Sequence, residues 1–191
     1  MTGRTHDLAA FTAMTFIVTL SPLPKITLAT ALLSLGANMV GGITPDIDQP
    51  TGKLWEDVGF KHNLAGFFTP ILGGHRHLSH SILGMIIFGI LSKIVLEFLT
   101  KIVVFDLNIA WWAFMIGFFS HLVMDTFTQE GVPWLFPVPI KFGIPPLHYL
   151  RLKTGGLIEN FVVFPGLIGI NAIIFYEKYR IFISFIKHNI N

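Results

Sequence analysis

Three features of this 191-residue sequence predict an all-α integral membrane protein with about five transmembrane helices. The chain is 52% hydrophobic and only 13% charged, where a soluble domain carries about 25% charged residues. Five apolar stretches each approach the roughly 20 residues that a helix needs to cross a hydrocarbon core about 30 Å thick. The ionisable residues gather at the ends of those stretches. A mean hydropathy of +0.67 agrees, and one domain over residues 1–191 is expected. There is no cysteine, which leaves neither disulfides nor thiolate ligands. A formal charge of +2 gives no reason to expect nucleic acid as a partner.

The first span is expected over 2–20, ended by Pro22 and Pro24, with His6 about one turn inside the interface. A short or re-entrant helix is the alternative for this stretch. Its opening, Met1-Thr2-Gly3-Arg4-Thr5-His6-Asp7, does not read as a signal peptide, since it carries an acid and no small-residue cleavage site closes the apolar run. The second span, 26–43, carries Ala29, Ala31, Ser34, Gly36, Ala37, Gly41 and Gly42. Small residues of this kind let membrane helices approach closely. A loop over 44–79 follows, starting at Thr44-Pro45-Asp46-Ile47-Asp48 and including a short interfacial helix over 64–72.

The third span is expected over 80–99, with Ser79 or Ser81 as its cap. Lys93 and Glu97 sit four apart near its far end, where they pair or reach water. The fourth span, 108–128, opens on Trp111 and Trp112 as interface anchors and holds His121 and Asp125 in its last two turns. The connection 129–158 carries Pro133, Pro137, Pro139, Pro145 and Pro146 among Trp134, Phe136, Phe142 and Tyr149. It reads as an ordered cap at the interface. The fifth span, 159–177, starts at Glu159-Asn160, and Lys178, Arg180 and Lys187 form a basic tail.

The chemistry centres on His75-Arg76-His77-Leu78-Ser79-His80-Ser81. Neutral imidazole is the commonest protein metal ligand. Alternating crossings bring His6, Asp46, Asp48, His75, His80, His121, Asp125 and Glu159 to one membrane face. That face holds seven of the eight histidines and eight of the eleven acids. Polar groups collect at helix ends in any membrane protein, but that tendency alone produces no such asymmetry, and ionisable groups at membrane depth are usually functional. The reading is therefore a polar metal site at one membrane face.

Asp46 and Asp48 share a proline-bounded turn, and His121 and Asp125 share a helix face at i,i+4. With His6, His75 and His80 they make seven candidate ligands. Seven exceeds the four of a tetrahedral zinc site. The surplus points to two divalent ions, or to one ion with an extensive outer shell. Zinc is the first choice, manganese or iron the next. His77 is expected to face water. His62, His148 and His188 have no partners in the pattern and read as structural or solvated. Arg76 suits an anionic oxygen of substrate or of lipid phosphate. Glu159, with no structural task evident in the sequence, is the candidate general base or ligand orienter.

Taken together, these pieces resemble the LexA-regulated, inner-membrane metal-dependent hydrolases of the YdjM type. The resemblance rests on the early His6, Pro45-Asp46-Ile47-Asp48, His75-Arg76-x-x-x-His80-Ser81, His121-x-x-x-Asp125-x-x-Thr128-x-x-Gly131, and Lys153-Thr154-Gly155-Gly156-x-x-Glu159. His77 departs from it, because the family more often has a small residue there. The resemblance implies the inner membrane of a bacterial or archaeal cell and a hydrolase. The expected activity is hydrolysis by metal-activated water of a phosphoester in a lipid or another small amphiphilic substrate, with membrane lipid as the partner. A divalent-metal transporter and a structural protein clamped by its metal are the alternatives. Transport needs a polar path to the far face, and the first, second and fifth spans carry no ionisable residue in their middles. Seven basic residues on the site side against six on the other give the positive-inside rule no purchase on orientation.

Overall fold

The computed structural model describes residues 1–20, 26–49 and 76–190. Among them are five α-helices and no strand: α1 (Gly3–Leu20), α2 (Leu28–Ile43), α3 (Ile82–Leu99), α4 (Leu107–Thr126) and α5 (Phe164–Ile190). Three starts are fixed by side chains that accept a hydrogen bond from an otherwise unpaired backbone N–H. Thr27 accepts from Thr30 N at 3.2 Å, Ser81 from Gly84 N at 3.0 Å, and Asp106 from Ile109 N at 3.1 Å. Ser81 is thus the cap of α3, which leaves His80 in the turn ahead of the helix.

Four segments are long and apolar enough to cross a membrane: Leu28–Asp48, Ile82–Leu99, Leu107–Thr126 and Glu159–Asn189. The first helix, expected as a fifth span, is not among them. Its Thr5, His6, Thr12 and Thr15 turn into the bundle instead of being replaced by apolar residues. Thr15 Oγ1 donates to Asn171 Oδ1 at 3.0 Å, and Asn171 Nδ2 donates to Thr12 Oγ1 at 2.6 Å. Polar side chains that satisfy one another between helices are a usual bond at membrane depth, and they lower the hydropathy by which a span is recognised.

The middle of the bundle is α4, which packs against α1, α2 and α3. It is buried on several sides, at Ala113, Phe114, Gly117, Phe118, His121 and Leu122 among others, as a helix enclosed by its neighbours must be. The small residues of α2 do what their pattern implies. Asn38 Nδ2 donates to Ala113 O at 3.0 Å, and Gly41 faces the carbonyl of Phe114 so closely that a methyl group has no room.

The segment Thr44–Asp48, expected as loop, is a 3₁₀ turn that continues α2 directly. Pro45 falls in its first positions, where a missing N–H breaks no helical bond. The predicted interfacial helix over 64–72 lies outside the described residues. The connection after α4 is a hydrogen-bonded cap. Bridges pair Thr128 with Leu152 and Val132 with Phe142. Arg151 Nε donates to Pro145 O at 2.7 Å, and Ile82 N donates to Trp134 O at 3.1 Å, tying the cap to the start of α3. The last helix opens with a π turn, Glu159–Val163, and departs from helical dihedrals at Lys178. It does not end at 177 as expected. It resumes beyond the break and returns to α2, where Asn189 Oδ1 accepts from Leu28 N at 2.8 Å.

Candidate metal centre

Four elements deliver side chains to one point: the start of α1, the 3₁₀ turn after α2, the turn before α3, and the last two turns of α4. His121 comes from α4. Its Nδ1 lies 2.7 Å from the carbonyl of Gly42. A carbonyl only accepts, so Nδ1 carries the proton and Nε2 keeps its lone pair. That Nε2 is 3.7 Å from Asp46 Oδ1 and 3.6 Å from Asp125 Oδ2. His80 Nε2 is 3.5 Å from the same Asp46 oxygen and 3.7 Å from the same Asp125 oxygen. The edge of a tetrahedron around an ion with bonds of 2.0–2.2 Å is roughly 3.3–3.6 Å. Each of these four imidazole–carboxylate separations is close to that edge.

His6 brings a third imidazole, stacked on His121 with ring centroids 3.6 Å apart. Two groups of potential donors result, His6–Asp46–His121 and His80–His121–Asp125, each with its atoms within 4.8 Å of one another. His6 Nε2 and His121 Nε2 are buried and make no hydrogen bond among the described residues. Buried polar atoms in that condition are unfavourable, and coordination to a cation relieves it. The donor set, two or three imidazoles with two carboxylates, fits zinc, manganese or iron.

The remaining expected site residues fall around this group. Asp48 stands behind His80 rather than beside the donors. Its Oδ2 accepts from Ser79 Oγ at 2.5 Å and from Arg76 N at 3.0 Å, and lies 3.6 Å from His80 Nδ1. A carboxylate behind a ligating histidine fixes the ring and raises its basicity. Burial by itself lowers the pKa of His80, which lies ahead of the spanning helix. Hydrogen bonds and attraction from Asp46 and Asp48 outweigh that effect and raise it to about 9. Asp48→Asn is expected to weaken metal binding about 10–100-fold, without abolishing it, as read by competition with a chelator.

Arg76 is buried, and its backbone adopts the left-handed region at φ 57°. The guanidinium Nη2 pairs with Asp125 Oδ2 at 2.6 Å, while Nη1 donates to Thr128 Oγ1 at 2.8 Å. Its Nε faces Glu130 Oε2 at 3.4 Å. The amino group of Met1 pairs with the other oxygen, Asp125 Oδ1. His77 is exposed, and its ring stands edge-on to Phe136 of the cap at 6.4 Å. His75, an expected ligand, lies outside the described residues, as does His62.

Glu159 has a structural task after all. Its Oε1 accepts from Thr2 N and Thr2 Oγ1, each at 2.7 Å, and its Oε2 accepts from Gly155 N at 2.7 Å. It fastens the start of α1, and hence His6, to the start of α5. Glu159→Ala, which strands those donors, is expected to destabilise the protein by about 2 kcal/mol, read as a lowered melting temperature in detergent. Ser79, Thr2 and the Gly42 carbonyl were not expected at the site. Only Ser79 leaves a signal, its position between His77 and His80; the others act through backbone or near-terminal groups.

The model of the YdjM inner membrane protein family matches residues 1–188, which include every motif described above. The chain belongs to that family. It is 31% identical over 166 residues to the "Uncharacterized protein YvsG" of Bacillus subtilis (strain 168), an alignment covering 85% of this chain and 88% of that protein. No solved structure matches. Membership in the YdjM family and four apolar helices together make this an inner-membrane protein.

Proposed function

We infer that this YdjM-family chain is a metal-dependent hydrolase acting on a phosphoester of a lipid or similar amphiphile. The observation that carries the reading is the quartet of Asp46 Oδ1, His80 Nε2, His121 Nε2 and Asp125 Oδ2, whose four imidazole–carboxylate separations are 3.5–3.7 Å. Zinc is the preferred ion, with manganese and iron next. A bound ion supplies water acidified towards neutral pH and an electrophile for the scissile group.

The chain's own residues do the rest. Asp48 and Ser79 orient His80, and Gly42 orients His121. Arg76 holds Asp125 in place through Nη2 and adds a positive charge beside the donors. Of the four donors only Asp46 is appreciably open, with 15% of its side chain exposed, so substrate approaches from that side. Ser120 and Met124, each one residue before a donor of α4, line an apolar groove of about 590 Å³ with Ala9, Phe119 and Leu167. Such a groove suits an acyl chain. The reading is favoured over transport by the core beneath the site, which is Phe114 and Phe118. Among the described buried residues no histidine or carboxylate continues the ligand set towards the other face.

The test uses detergent-purified protein stripped with a chelator and reloaded with zinc, manganese or iron. Short-chain phosphatidic acid and phosphatidylglycerol in mixed micelles are the substrates, and released phosphate or headgroup is measured. Turnover that appears only on reloading is expected. Equal turnover in stripped protein, or none on any phosphoester with metal bound, overturns the hydrolase reading.

A further inference from the structure

The stacked histidines decide how many ions the site holds. A metal bonds imidazole along the in-plane lone pair of its nitrogen. The rings of His6 and His121 are nearly parallel, 8° apart, with centroids separated by 3.6 Å. An ion shared equally by both would stand out of each ring plane by about half the stacking distance, nearly the whole of a metal–nitrogen bond of 2.0–2.1 Å. That geometry wastes both lone pairs. One ion in the plane of each ring uses both.

We propose that the site binds two divalent ions side by side, one held by His80 and His121, the other by His6, with Asp125 bridging them. This rests on the reading of the cluster as a metal site and adds its second ion. The carboxylate of Asp125 is divided between the two positions. Its Oδ1 is 3.2 Å from His6 Nε2, while its Oδ2 is 3.6 Å from His121 Nε2 and 3.7 Å from His80 Nε2. Asp46 belongs to both sides as well, 3.5 Å from His80 Nε2 and grouped with His6 and His121. The ring spacing puts the ions about as far apart as in two-metal hydrolytic sites, where the separation is about 3.5–4 Å. The amino group of Met1, which pairs with Asp125 Oδ1, competes for that oxygen and yields to a doubly charged ion. The second ion has fewer protein donors than the first, which leaves it positions for water or a substrate oxygen.

The experiment loads metal-depleted, full-length protein in detergent with Mn²⁺. Bound manganese per chain is counted after gel filtration, and the electron paramagnetic resonance spectrum is recorded. Two equivalents with an exchange-coupled spectrum are expected. His6→Ala should retain one equivalent with the six-line spectrum of an isolated ion, and this retention itself reports a folded site. One equivalent in the unmodified protein, or two without coupling, overturns the second ion and leaves the single-metal reading intact. No bound manganese, zinc or iron at all removes the metal site itself. The wild-type spectrum decides the matter even if the variant fails to fold.

Discussion

Replacing His121 by alanine is expected to remove metal binding almost completely. His121 is the one residue common to both donor groups, and its Nε2 faces Asp46 and Asp125 at 3.7 and 3.6 Å. Loss of an outer-shell partner weakens metal sites about 10–100-fold, and loss of a direct ligand should exceed about 100-fold. The change also leaves the Gly42 carbonyl without its donor and deprives His6 of its stacking partner. The measurement is metal content after gel filtration, beside His148→Ala as a control at an exposed histidine. Wild-type stoichiometry in the His121 variant would take His121 out of the ligand set, and the four-donor geometry with it.

The helices that could be read from sequence were those whose limits are local. An apolar run preceded by Ser81 or Asp106 starts where its cap stands, and the third and fourth spans lie within two residues of their expected ends. The first helix is less apolar than the other spans because its polar residues are answered from α5, by Asn171, across more than 150 residues of chain. Resumed charge at Lys178 predicts an end there, but the helix only breaks and continues to Ile190. The return of Asn189 to the start of α2 is a contact that periodicity does not encode.

The site divides in the same way. His6, Asp46, His80, His121 and Asp125 meet because alternating crossings bring those segment ends together, and counting crossings needs no coordinates. Asp46 and Asp48 looked equivalent as a pair. A 3₁₀ turn has about three residues per revolution, so residues two apart point in different directions. Asp46 therefore faces the donors, and Asp48 turns back to Ser79 and His80. The sequence shows no structural task for Glu159, the candidate general base or ligand orienter, because two of its partners, Thr2 N and Gly155 N, are backbone groups that residue types do not announce.

The close approach of α2 to α4 puts Gly117→Ala among the most damaging small substitutions expected in the fold. A β-carbon at Gly117 would fall on the carbonyl oxygen of Asn38, inside any allowed contact, and 2.9 Å from Gly42 N. Both obstacles are backbone, so no side-chain rotation relieves them. Overpacking costs about 1–3 kcal/mol where neighbours can adjust, and here the value should lie at or above the top of that range. The relief available is for α2 to move away from α4. That motion stretches the bond from Asn38 Nδ2 to Ala113 O and withdraws the Gly42 carbonyl from His121 Nδ1. It also carries Asp46, on the turn that continues α2, away from His121. Stability and metal affinity should therefore fall together, in a thermal melt and a chelator competition on the same sample. Gly36→Ala on α2 is the contrast, since nothing lies within 4 Å of its added carbon and alanine favours a helix by about 1 kcal/mol over glycine. If the two variants melt alike, the helix contact is not what holds the metal donors in register.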